Sequence, residues 1–271
     1  QETVNREVVT AYVTTATRSS EFVKREILFS EEADSLSPYT IKLVSDEKYQ
    51  VMDGFGAAIT GSTAYNLLKM AAEDRASFLK KTFSESEGMG QSYVRISIGC
   101  SDFSLSEYTC CDKEGIENFG LQEEELAYVI PILKEILAIN PEVKIMGTPW
   151  TPPLWMKVNN LKELKPFVSW TSGQLNPAYY QDYAIYFVKW IQAMEEQGVR
   201  IYSVTPQNEP LNRGNSASMF MGWQEQNAFI KEALGPKLRE AGLDTKIYLY
   251  DHNYDYDRQK EDTKDQGQYP L

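Results

Sequence analysis

The sequence contains one histidine, His252, in 271 residues. That scarcity effectively removes histidine-dependent nucleophilic triads and multi-histidine metal sites. Cysteine is also sparse. Cys100, Cys110 and Cys111 form an odd set with a vicinal pair, which fits neither a disulfide framework nor a CxxC metal or redox pattern, so they read as structural thiols. Basic residues are in deficit: 27 Lys and Arg stand against 39 Asp and Glu, for a formal charge of −12. No basic stripe is present to neutralise phosphates, so nucleic acid is not an expected partner and a neutral substrate fits better. Long hydrophobic runs are missing too. The stretch 183–191 is interrupted by Lys189 and falls short of the roughly 20 residues of a membrane span, so no transmembrane segment is expected. The first six residues hold neither an initiator Met nor a signal-peptide apolar core. They read as a trimmed N-terminus, and a secreted, periplasmic or cell-surface location is expected.

What is present describes a folding, globular chain: 42% hydrophobic and 24% charged residues. Residues 1–45 read as strands, with β-favouring runs at 8–15 and 39–44 separated by a polar stretch at 31–37. Thereafter short apolar strands at 51–55, 93–98, 144–147, 201–205 and 246–250 alternate with longer helical segments. Such alternation predicts parallel β/α units. The helix at 121–139 has its apolar stripe at Leu126, Val129, Ile130, Leu133, Ile136 and Leu137, with Glu123, Glu124 and Glu125 at its positive end. A second spans 177–197, with Asn176 as N-cap, Pro177 in the first position and Gly198 as stop. A third covers 224–241, with Phe229, Ile230, Leu234 and Leu238 on its stripe and Gly242 as stop. Five strands occupy about 200 residues and an eight-stranded barrel with insertions needs on the order of 400. The chain therefore reads as the first five β/α units of a barrel.

In a barrel the strand C-terminal ends face the active site. The fourth strand runs through IYSVTPQNEP at 201–210 into an Asn-Glu-Pro turn. A carboxyl group held there by flanking prolines can donate a proton to a substrate oxygen, and Asn208 beside it can hydrogen-bond a sugar hydroxyl. Alternatively, Asn208 and Glu209 cap the following helix. The other strands also end in unusual polar or aromatic residues: DGFGAAITGS at 53–62, GCSDFS at 99–104, GTPWTPPLW at 147–155 and YDHNY at 250–254. Asp102 either binds a ligand or caps its turn beside Ser101 and Ser104. Trp150 is either a plain core aromatic or, as its setting among prolines favours, a rigid wall for sugar C–H groups. Trp155 and Trp223 shape outer subsites or are buried, and Trp190 reads as packing. Asp251, Asn253, Asp255 and Asp257 alternate as in a calcium loop, yet Tyr256 stands where that loop needs Gly. Arg95, inside a strand, supports buried carboxylates or forms a simple ion pair.

These five motifs, in this order, resemble the glucosylceramidase family of glycoside hydrolases, family 30 of clan A, over residues 40–255. The resemblance implies an α/β fold, a (β/α)8 TIM barrel, with a partial barrel at 46–271 and strands of an accessory β-sandwich at 1–45. It implies a retaining β-glycosidase with a carbohydrate substrate, either glucosylceramidase-like or a β-1,6-glucanase, and no cofactor or metal. Glu209 is then the acid/base, and the nucleophile is a Glu ending strand seven. Asn208 would contact the sugar 2-hydroxyl, Asp102 the outer sugar hydroxyls, and Trp150 would line the −1 pocket. His252 or Asn253 would face the pocket from strand five. A retaining enzyme needs two carboxyl groups about 5 to 5.5 Å apart. No other Glu ends an apolar strand, so the nucleophile is expected beyond Leu271 and the chain alone is expected to be inactive. Two further readings are a glycan-binding barrel without turnover and a xylanase of the same clan.

Overall fold

The computed structural model describes residues 8–29, 38–42 and 44–252. The chain divides into two compact units, Gln1–Asp53 and Gly54–Leu271, where the sequence expectation placed the division at 45/46. In the first, β1 (Val8–Val13) pairs antiparallel with β2 (Val23–Leu28), from Val8 opposite Leu28 to Val13 opposite Val23. The turn is closed by the Ser20 N–H on Thr15 Oγ1 at 3.0 Å and by Tyr12 stacked on Phe22. The second strand expected at 39–44 does not form among the described residues 39–42 and 44. The partner strand is instead β2, whose Lys24-Arg25-Glu26 centre breaks the apolar alternation that marks a half-buried strand.

The second unit is a five-stranded, all-parallel sheet in the order β3 (Gly56–Ala58), β4 (Tyr93–Ser97), β5 (Lys144–Thr148), β8 (Ser203–Val204), β9 (Lys246–Ile247). Between β5 and β8 a two-residue ladder of β6 (Lys157–Val158) and β7 (Gln174–Leu175) ties the ends of a long loop. The first barrel strand lies further along than the expected 51–55. Gly56 sits so close to β4 that a Cβ there would meet the Tyr93 carbonyl oxygen at 1.5 Å. This DGFGAAITGS segment is thus both strand and helix start, because Thr60 caps α1 (Gly61–Lys69) by accepting the Thr63 N–H. This helix and α2 (Ala72–Phe83) were not anticipated from the sequence.

The three expected helices are present, two with a shared irregularity. In one, a π turn at Glu125–Val129 leads into α3 (Ile130–Ile139); in the other, α5 (Trp223–Phe229) passes through a π turn at Ile230–Leu234 into α6 (Gly235–Glu240). Pro131 and Pro236 follow these turns closely. A proline has no N–H to donate and its ring collides with the carbonyl four residues back, and a widened turn relieves both problems. The shift also explains why Ala233, off the expected stripe, is fully buried while Ile230 is half-buried. The third helix begins with Pro177–Tyr179 under the Asn176 cap, continues as α4 (Tyr180–Glu196) and stops at Gly198 with φ +82°.

Alternation along the strands separates two faces. Val94, Ile96, Ile145 and Val204 belong to the apolar core with α3, α4 and α5, where Trp190 is fully buried. Trp190 sits against Gly147, where a Cβ would lie 2.5 Å from its ring. The residues between them, Tyr93, Arg95, Thr148, Ser203 and Thr205, are polar and bond to one another or to the strand ends.

Candidate active site

The C-terminal ends of β4, β5, β8 and β9 converge on Arg95. Its Nη2 donates to Asn208 Oδ1 at 2.7 Å and to Asp251 Oδ2 at 2.6 Å, and its guanidinium carbon lies 4.7 Å from the centre of the Trp150 ring. Thr205 Oγ1 lies 3.0 Å from both Thr148 Oγ1 and Asp251 Oδ2, and its single hydroxyl proton serves one of them at a time. Arg95 therefore supports the site rather than forming an isolated ion pair, since it links three strand ends at once. Because Asn208 Oδ1 is taken by Arg95, the amide orientation is fixed and its Nδ2 donor is left for the mouth.

Backbone bonds hold Asn208 and Glu209 in place. The Asn208 N–H donates to the Pro149 carbonyl and the Glu209 N–H to the Asp251 carbonyl, each at 2.8 Å. Gln207 Nε2 spans the carbonyls of Trp150, at 2.7 Å, and Asn208, at 3.0 Å. Glu209 has φ +39°, in the left-handed region that costs a non-glycine residue of order 1 kcal/mol or more. Neither Asn208 nor Glu209 caps a helix among the described residues, the next helix starting at Trp223 under Gly222. The Glu209 carboxylate instead accepts at Oε2 from the side-chain amides of Asn212, at 2.7 Å, and Asn215, at 3.2 Å.

The remaining expected residues fall around this centre in different ways. Trp150 is 7% exposed and packs with Cys100, Tyr108, Ala217 and Trp170, while its Nε1 makes no hydrogen bond among the described residues. Asp102 is exposed on the loop after β4. The turn it occupies is held by others: Ser101 Oγ accepts from Phe103 N–H and Ser104 Oγ from Ser101 N–H. His252 is half-buried at the end of the β9 segment, its N–H on the Tyr250 carbonyl at 2.9 Å and its ring edge-on to Tyr250. Asn253 lies outside the described residues. Trp155 donates from Nε1 to the Cys111 carbonyl at 2.9 Å, and Trp223 is 52% exposed.

Several supports of the mouth were not anticipated. Asp251 follows an apolar strand, the same signal that marked Glu209, and the acidic alternation after it masks that signal. Lys157 is 1% exposed, and its Nζ donates to the carbonyls of Ser169, at 2.7 Å, and Ser218, at 3.0 Å. It thereby ties the loop after β5 to the loop that follows Glu209. Burial pushes the Lys157 amine down to about 7, and the nearby Cys100 opposes that shift. Ser216 Oγ donates to Glu107 Oε1, joining the loops after β4 and β8. Glu124 and Glu125, at the N-terminal end of the helix, are buried. Glu124 Oε2 accepts the Leu105 N–H of the Asp102 loop at 2.9 Å, and Glu125 Oε2 accepts the Gln122 N–H at 3.0 Å. Burial raises the Glu125 carboxyl to about 7 against the hydrogen bonds it accepts. All three cysteines are free and buried, with Cys110 Sγ 3.4 Å from Glu125 Oε1.

The chain resembles known proteins in sequence and in structure. Residues 52–263 match the glycosyl hydrolase family 30 TIM-barrel domain. The chain is 36% identical to an endo-1,6-β-D-glucanase from Neurospora crassa, over 80% of this chain and 46% of that protein. It is 30% identical to the lysosomal acid glucosylceramidase of Mus musculus, over 78% of this chain and 42% of that protein. A solved structure of the endo-β1,6-glucanase BT3312 is 60% identical and superposes with a TM-score of 0.85, covering 94% of this chain and 55% of that one. The chain thus spans about half the length of the curated relatives it matches. With its family domain matched, its sheet parallel and its polar strand ends gathered about Arg95, the chain belongs to glycosyl hydrolase family 30.

Proposed function

We propose that the protein bearing this chain is a retaining β-glycoside hydrolase acting on β-glucosides, with Glu209 as its acid/base. The observation that supports it is the placement of Asn208 and Glu209 at the mouth end of β8, held by Arg95, Asp251 and Gln207. In this reading Glu209 protonates the glycosidic oxygen while a second carboxylate attacks the anomeric carbon. Glu209 then takes a proton from the water that releases the sugar. The attacking carboxylate is assigned to a Glu ending a later strand, beyond Leu271, since no second Glu ends a strand of the described sheet. Asn208 Nδ2 serves the sugar 2-hydroxyl, Trp150 lines the −1 pocket, Asp102 binds outer hydroxyls, and His252 or Asn253 borders the pocket from the β9 side.

A β-1,6-linked glucan is favoured over a glucosylceramide, because 60% identity links this chain to an endo-β1,6-glucanase and 30% to a glucosylceramidase. A polymer of that kind is met outside the cell, which suits a secreted, periplasmic or cell-surface enzyme. The β1–β2 hairpin is assigned to an accessory β-sandwich: Val8, Val9, Ile27 and Leu28 are exposed along it, and a lone two-stranded hairpin is marginal in water. The test is to assay the whole protein on β-1,6-glucan and alkyl β-glucosides. Glu209→Ala should lower kcat/KM by about 10² to 10⁴-fold on these poor leaving groups. Wild-type rates in that variant would sink the assignment.

A further inference from the structure

The two oxygens of the Glu209 carboxylate are unequal. Oε2 accepts from Asn212 Nδ2 at 2.7 Å and from Asn215 Nδ2 at 3.2 Å, whereas Oε1 has no hydrogen bond among the described residues. The Asn212 amide is itself oriented: its Oδ1 accepts the Gly214 N–H at 2.8 Å, so its Nδ2 must be the end turned to Glu209. Its backbone N–H also donates to the Glu209 carbonyl at 2.8 Å. The segment after the Asn-Glu-Pro turn thus folds back and grips one oxygen of the acid/base.

We infer that Asn212 and Asn215 are positioning residues that dedicate Oε1 of Glu209 to proton transfer. A proton on Oε2 would face two N–H donors with no acceptor, so the acid form keeps its proton on Oε1. When that proton passes to the glycosidic oxygen and the C–O bond breaks, the charge left on the carboxylate is met by two donors already in place. The same donors steady the carboxylate as it takes the proton of the incoming water through Oε1. Neither asparagine belongs to the strand-end motifs, and both act through Glu209 rather than on substrate.

This inference rests on Glu209 being the acid/base, and the experiment separates the two. In the whole protein, kcat/KM is measured for wild type, Asn212→Asp, Asn212→Ala/Asn215→Ala and Glu209→Ala. The substrates are 2,4-dinitrophenyl β-glucoside, which departs without acid help, and an alkyl β-glucoside, which does not. Asn212→Asp keeps the acceptor for Gly214 N–H and removes the donor to Glu209, so it tests the grip where the double variant fails to fold. Both asparagine variants are expected to lose about 10- to 100-fold on the alkyl glucoside and under about threefold on the dinitrophenyl one. Equal losses on both substrates, or none, would overturn the inference. Wild-type rates in Glu209→Ala on the alkyl glucoside would overturn the acid/base reading itself.

Discussion

Along β4 the side chains alternate between two chemistries. Val94 and Ile96 are 1% and 3% exposed among helix side chains, while Arg95 between them bonds Asn208 and Asp251 on the opposite face. The helix face is held by dispersion and burial, which tolerate no gap. The other face is held by directional bonds between groups that would be costly to bury unpaired. Substitutions on the two faces should therefore fail differently, one in stability and the other in chemistry.

The largest effect is expected on the helix face. Trp190→Ala empties the space between α4 and Gly147 and should cost about 3 to 5 kcal/mol in denaturant unfolding. The activity of the molecules that remain folded should be unchanged; a loss below about 1 kcal/mol would break the contrast. Arg95→Met on the opposite face should cost less stability, about 1 to 2 kcal/mol, because the side chains of Arg95 and Asp251 keep 25% and 21% exposure and solvent screens their pairing. Its activity should fall about 10- to 100-fold, since the Asn208 amide loses its fixed orientation. A variant with lowered stability and full activity would show that the polar face is structural alone.

Lys157→Met should have the smallest effect at neutral pH and sharpens the contrast through its pH dependence. The buried amine has its affinity for a proton lowered from 10.5 to about 7. Between those values the unfolded chain holds a proton that the folded chain has released, so stability rises with pH from about 7 to 10.5 and is lost as pH falls through 7. The wild-type-minus-variant difference in unfolding free energy should rise over that window. A flat difference would mean that the amine stays charged against the two carbonyls.

The sequence alone determined the helices at 121–139, 177–197 and 224–241, though not every member of their buried stripes, since Leu126 is 47% exposed, and it determined the strand-end stations of Asp102, Trp150, Asn208 and Glu209. Apolar period, caps and the passage from strand to turn are written in neighbouring residues. Charged residues hid β2, and the proline-linked π turns displaced the buried stripe from Ile230 to Ala233. Tertiary structure decided which side chains meet. Arg95 reaches Asn208 113 positions away and Asp251 156 positions away, and Lys157 reaches Ser218 61 positions on. Such meetings depend on the order and register of parallel strands, which backbone hydrogen bonds set and no local pattern records. Whether Asn212 and Asn215 point at Glu209 or at water is likewise a matter of how one loop turns back on the end of its strand.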